Sequence, residues 1–236
     1  MEATYPLLRK HINSGESLRQ LREDWPYLVD QNVLLAHCKE LLGKDLLQAV
    51  ENSFAKKAPR MLRFFKSRTP NVEPYIAAAE KEKQADNFTA ILQLVIVCLQ
   101  RSLNEKEDSL FVVVDEMSSN EEVENACSGK TWPRLAMLGP SILAAKDSIL
   151  IVDGQVFGRF GSFLSALSLL FGIYYVLNIQ YPNEAAATLE FIQRCFMGIN
   201  PDAGLKTSKK KKTSAVNPKV LRLINELADF EWTDQN

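Results

Sequence analysis

The stretch Ser148-Ile-Leu-Ile-Val-Asp-Gly-Gln-Val-Phe157 places an Asp-Gly pair between two short runs rich in β-branched residues. A two-residue type I′ turn needs a positive φ at both central positions, and Asp153-Gly154 meets that need. The stretch therefore predicts a β-hairpin. Two apolar runs of the same kind, 110–114 and 134–138, come earlier in the chain. We expect a small mixed sheet of three to four strands.

Helical spacing dominates on both sides of these strands, because apolar residues recur every three or four positions. A long buried helix is expected from Asn87 to Leu103, and Pro59 is expected to shorten the helix that contains it. The predicted fold class is α+β. Its parts are a mainly helical N-terminal region (1–102), a small sheet backed by helices (103–205), and a basic linker followed by a C-terminal helix (206–236).

Composition narrows the class of protein. The chain has 236 residues, of which 46% are hydrophobic, and its formal net charge of −1 gives no global reason to bind nucleic acid or an anionic membrane. Its four cysteines contain no C-x-x-C pair, and no secretory signal pattern begins the chain, which predicts buried, reduced thiols in the cytoplasm or nucleus. The charge-free segment 160–183 has serines at helical spacing, so we interpret it as a core helix and not as a membrane span.

The sequence matches catalytic and metal-binding motifs only in part. Asp115 and Glu116 follow an apolar run as in a nucleotide-hydrolysing strand, but Glu124 stands where a phosphate loop requires glycine. With only two histidines and no suitably spaced cysteines, we expect no metal, no cofactor and no enzyme. A rival hypothesis is an enzyme that uses Asp115 and Glu116 at the sheet edge, and a deep pocket in which both carboxylates converge with Asp153 would support it.

Two basic features remain. The first has six positive charges and no negative one within thirteen residues that also carry apolar side chains: Lys56, Lys57, Arg60, Arg63, Lys66 and Arg68. It predicts either a solvated helix face or weak, sequence-independent contacts with phosphate or nucleic acid. The second is the run Lys209, Lys210, Lys211 and Lys212, which fits a nuclear localisation signal, a phosphate-binding tail or a solubilising linker.

Several segments carry a resemblance: Trp25-Pro-Tyr-Leu, the run Pro59-Arg-Met-Leu-Arg-Phe-Phe-Lys66, Ile149-Leu-Ile-Val-Asp-Gly154, and Phe171-Gly-Ile-Tyr-Tyr-Val-Leu-Asn-Ile-Gln-Tyr-Pro182. The chain resembles the C-terminal module of a group of vertebrate proteins, many from fish, that are described as sterile-alpha-motif-domain-containing-like or as uncharacterised. The resemblance implies a shared α+β module, covers about two thirds of the chain and transfers no functional residue. Because the resemblance is to the C-terminal module alone, we expect these 236 residues not to include a sterile alpha motif.

Charge is distributed unevenly. Basic and acidic residues number 15 and 12 in residues 1–102, 6 and 13 in 103–205, and 7 and 4 in 206–236, which gives net charges of +3, −7 and +3. An acidic middle between basic flanks favours contacts within the molecule or between copies of it. We therefore expect a non-enzymatic module that binds another protein or a second copy of itself, with no membrane partner.

Overall fold

The computed structural model describes residues 5–69, 72–82, 87–200 and 216–233. Within them it contains ten α-helices and one four-stranded sheet, which confirms the α+β class. The helices are α1 (Tyr5–Asn13), α2 (Leu18–Asp24), α3 (Gln31–Leu42), α4 (Leu46–Arg68), α5 (Glu73–Glu82), α6 (Asn87–Ser102), α7 (Asn120–Ala126), α8 (Phe163–Val176), α9 (Ala186–Phe191) and α10 (Pro218–Thr233). The strands are β1 (Phe111–Val114), β2 (Arg134–Leu138), β3 (Asp147–Val152) and β4 (Gln155–Phe160).

The strands lie in the order β1-β2-β3-β4. β1 is parallel to β2, whereas β2, β3 and β4 are antiparallel to their neighbours, so the predicted mixed sheet is confirmed. The predicted hairpin turn is confirmed as well, with φ of 53° at Asp153 and 73° at Gly154. Because side chains alternate along a strand, Leu135 and Leu150 belong to the main core while Ala136 and Ile149 form a smaller cluster with Val123 of α7.

The main core is organised around α8, which is buried along nearly its whole length. The main core also contains buried residues of α3, α4 and α6 and of the inner face of the sheet. The hydroxyl of Tyr174 in α8 donates a hydrogen bond to the Pro133 carbonyl at 3.0 Å, which satisfies the one polar atom of this buried ring. No helix among the described residues is both long enough and apolar enough to span a membrane.

Pro59 does not shorten helix α4, contrary to the expectation from the sequence. The helix runs from Leu46 to Arg68 with Pro59 in its interior. Proline leaves the carbonyl four residues earlier, that of Ala55, without its helical donor. Both residues face solvent, where water can replace that hydrogen bond, and buried residues on each side, such as Phe54 and Met61, hold the two halves in one helix.

Candidate functional site

The outer edge of the sheet at β1 exposes an apolar side chain and unpaired backbone groups. In the β1–β2 ladder, Leu135 donates its N–H to the Leu110 carbonyl and Gly139 donates to that of Val114, at 2.8 Å and 2.9 Å. Residues of a strand point their backbone groups to alternate sides, so the N–H and C=O of Val113 face away from β2. Among the described residues these groups have no hydrogen-bond partner. Val113 is 45% exposed, which makes this edge available for a further strand.

An apolar pocket of about 600 Å³ lies beside this edge. The side chain of Val113 forms part of its wall. The other lining residues come from α5 and its start (Pro74, Tyr75, Ala78), α6 (Val97, Arg101), the turn before β1 (Glu107) and the β2–β3 loop (Pro140, Ser141, Ile142, Leu143). Most of this surface is apolar, so the pocket suits a hydrophobic side chain better than a hydrated ion.

Three polar residues converge at one side of the pocket. Glu107 Oε1 accepts hydrogen bonds from Tyr75 Oη at 2.9 Å and from Arg101 Nε at 3.0 Å, and the Arg101 guanidinium lies 4.2 Å from the centre of the Tyr75 ring. Burial and the Glu107 carboxylate both raise the pKa of Tyr75. The phenol therefore stays protonated at neutral pH, and the cluster joins α5 to α6 and to the turn before β1.

Negative charge surrounds both ends of β1. Residues 107–124 contain seven carboxylates and no basic side chain. Five of these are exposed: Asp108, Asp115, Glu116, Glu121 and Glu122. Met117 lies beside them and is 88% exposed, so an apolar side chain accompanies the acidic surface. The edge strand thus combines unpaired backbone groups, an apolar pocket and negative charge.

The carboxylates of the enzyme hypothesis do not converge. Asp115 and Glu116 follow the C-terminal end of β1, and Asp115 Oδ1 accepts a hydrogen bond from the Met117 N–H at 2.9 Å in an exposed turn. β3 is antiparallel to β2, and Arg134 pairs with Ile151, so Asp153 lies at the opposite end of the strands. The described structure therefore does not bring Asp115 and Glu116 into one pocket with Asp153, which is the arrangement that would support the enzyme hypothesis.

The six basic residues of α4 divide among three environments. Lys57 faces inward and donates a hydrogen bond to the Cys195 carbonyl, at the end of the π-helical turn Ile192–Phe196. Lys56, Arg63 and Lys66 are exposed, and Arg60 is half-buried beside them. Arg68 lies at the end of the helix, where it lines a separate polar pocket. The proposed phosphate-binding face therefore has four members, without Lys57 and Arg68.

Two further candidate sites are the run of four lysines and a possible metal site near the N-terminus. Lys209 to Lys212 lie outside the described residues. Near the N-terminus, His11, Glu16 and Asp24 each offer a ligand atom, and the three atoms lie within 4.8 Å of one another. His11 Nδ1 is 3.2 Å from Glu16 Oε2, which is the separation of a direct ion pair, so this trio does not need a metal to explain its geometry.

Sequence reasoning missed Val113 and the apolar pocket beside it. The wall residues come from segments separated by up to about seventy positions along the chain, and no local sequence pattern indicates that they meet.

No protein-family model matches the chain, and no curated protein or solved structure matches it significantly. Function therefore has to be inferred from the geometry of the described residues.

Proposed function

We propose that this chain is a protein-interaction module that binds an extended, basic segment of a partner protein along the free edge of β1. The observation that supports the proposal is the outward-facing backbone of Val113 next to an apolar pocket. Added strands of this kind gain affinity from main-chain hydrogen bonds and specificity from pockets that receive alternate side chains.

The negative charge around β1 determines which kind of strand can pair with its edge. An incoming strand with Lys or Arg at its flanks meets Asp115 and Glu116 at the end of β1. A second, antiparallel copy of β1 would instead bring the acidic segment before its own strand, with Glu107 and Asp108, towards them. Like charges placed opposite each other across a strand pair are destabilising. The acidic surface therefore favours a heterologous basic partner over self-association through this edge.

The proposal is tested with a display library of unstructured peptides. We expect the enriched peptides to alternate apolar residues with Lys or Arg and to protect the Val113 amide from hydrogen exchange when they bind. Val113→Pro should weaken binding about tenfold or more, because it removes the outward N–H that an added strand needs. This N–H is absent from the β1–β2 ladder, so the variant should still fold.

Val113→Thr provides the matched control, since it keeps the N–H and the β-branched shape and should bind nearly as well as the wild type. Equal affinity of the proline and threonine variants would contradict strand addition. A wild-type chain that dimerises in solution, with the Val113 amide already protected, would replace the partner peptide by a second copy and would also overturn the proposal.

A further inference from the structure

A second pocket, of about 430 Å³, lies where the C-terminal ends of α4 and α6 meet the first turns of α10. Four of its lining residues are basic and only Glu226 is acidic, which leaves a local charge of +3 in a chain of net charge −1. The basic residues come from three different helices: Arg68 from α4, Arg101 from α6, and Lys219 and Arg222 from α10.

Internal pairing leaves much of this positive charge uncompensated. Arg222 pairs with Glu226 at 2.6 Å, and Arg101 pairs with Glu107. Lys219 Nζ donates to the neutral Leu103 carbonyl at 3.1 Å, and Arg68 has no carboxylate within ion-pair distance among the described residues. Arg68 therefore has no neutralising partner in the described fold, whereas Lys219 also acts on Glu105: burial raises the pKa of this carboxyl, and the charge of Lys219 opposes that shift.

Helix dipoles account for only part of the cluster. Arg68 and Arg101 lie in the last turns of their helices, where positive charge is favourable. Lys219 lies in the first turn of α10, where positive charge is unfavourable, and this helix has no acidic residue in its first turn. A bound anion makes all four positions favourable at once, because it would sit near the positive end of α10 and between the four side chains.

We propose that this pocket binds a compact, multiply phosphorylated small molecule. Its four cations exceed the charge of one phosphate, and the guanidinium groups of Arg68 and Arg222 present the paired donors that suit phosphate oxygens. The pocket also offers hydroxyl groups, with Thr69 Oγ1 at 2.8 Å from Ser102 Oγ. Arg101 lines this pocket and the apolar pocket beside β1, so the two sites share one side chain.

Isothermal titration with pyrophosphate and with inositol hexakisphosphate tests the proposal. We expect the intact protein to bind at least the second probe with one site, and the double variant Arg68→Gln, Arg222→Gln to bind it about tenfold more weakly or worse, since each change removes a charge-assisted contact. The matched control is Lys56→Gln, Lys66→Gln, which removes the same charge from exposed positions of α4 outside the pocket. The control should retain the wild-type affinity.

Equal losses in the two double variants would show diffuse electrostatic attraction and would overturn the site, and so would the absence of binding by both probes. A phosphorylated peptide or a single-stranded oligonucleotide that binds the pocket more tightly than inositol hexakisphosphate would also overturn the small-molecule assignment. Circular dichroism checks that each variant is folded. None of these results depends on the edge of β1, so the proposed strand addition stands or falls separately.

Discussion

The backbone of Gly172 in α8 lies against the thiol of Cys38 in α3: a Cβ built at Gly172 would stand 2.5 Å from Cys38 Sγ and 3.1 Å from Leu46 Cδ1. Glycine in a helix interior normally costs stability relative to alanine, so its presence here reflects the close approach of two helices. The contact joins the N-terminal helices to the helix that covers the sheet.

Gly172→Ala should consequently destabilise the fold in spite of its better helix propensity. Overpacking costs about 1–3 kcal/mol, whereas the propensity gain is at most about 1 kcal/mol. Urea unfolding measures the difference. In the double variant Cys38→Ala, Gly172→Ala the new methyl group has room, so the two changes together should cost less than the sum of the single changes. Strict additivity would contradict this packing.

Local sequence signals were sufficient to predict the hairpin and the core helix, but not to predict which residues meet in the candidate sites. Asp153-Gly154 predicted the hairpin because turn chemistry is local, and the charge-free segment 160–183 predicted the core helix. The parallel pairing of β1 with β2 and the hydrogen bond from Lys57 to the Cys195 carbonyl depend on residues far apart in the chain. The α4 basic run therefore suggested one surface where the structure has two. The family resemblance and the absence of catalysis stay predictions.

Stability should depend on pH through His37. This imidazole is buried against the Tyr5 ring at 5.0 Å, and burial, followed by the positive charge of Arg9, lowers the pKa of His37 from 6.5 to about 4. A lowered folded-state pKa means that the stabilising contribution is complete above pH 6.5 and is lost as the pH falls through 4. We expect a loss of about 2 kcal/mol over that window.

Replacement of His37 isolates its part in the pH dependence. Neither ring nitrogen of His37 has a hydrogen-bond partner in the described structure, so His37→Phe should preserve stability at neutral pH and flatten the profile below pH 6.5. An unchanged slope in the His37→Phe protein would refute the assignment.

The acidic surface beside β1 should control partner binding and not catalysis. In the docking proposal, Asp115→Asn with Glu116→Gln weakens binding of a basic peptide severalfold and reduces its sensitivity to salt, mainly through the association rate. Surface plasmon resonance at two salt concentrations measures both effects. An Arg- or Lys-rich peptide that binds the double variant as fast as the wild type would show that these carboxylates do not attract it.

Nucleic acid provides a further test of α4. Three exposed cations, Lys56, Arg63 and Lys66, neutralise at most about three phosphates, so any binding of single-stranded oligonucleotide should weaken roughly tenfold between about 50 and 200 mM salt. Lys56→Glu with Lys66→Glu should abolish it, as measured by fluorescence anisotropy, whereas Arg68→Gln should leave it nearly unchanged. Binding that is insensitive to salt would contradict electrostatic binding by this face and would favour its interpretation as a solvated surface.

Pro59 gives the sharpest test of how α4 is held together. Its ring removes one helical hydrogen bond at an exposed position, so Pro59→Ala should restore the bond to the Ala55 carbonyl and raise the free energy of unfolding by about 1–3 kcal/mol. Pro218 is the matched control, because it is the first residue of α10, where proline lacks only an N–H that the helix does not use. Pro218→Ala should therefore be neutral or slightly destabilising, since it mainly frees the unfolded chain. If Pro59→Ala fails to stabilise while Pro218→Ala behaves as expected, the two halves of α4 are fixed in a kinked geometry by their packing, and the missing hydrogen bond cannot be recovered by changing one residue.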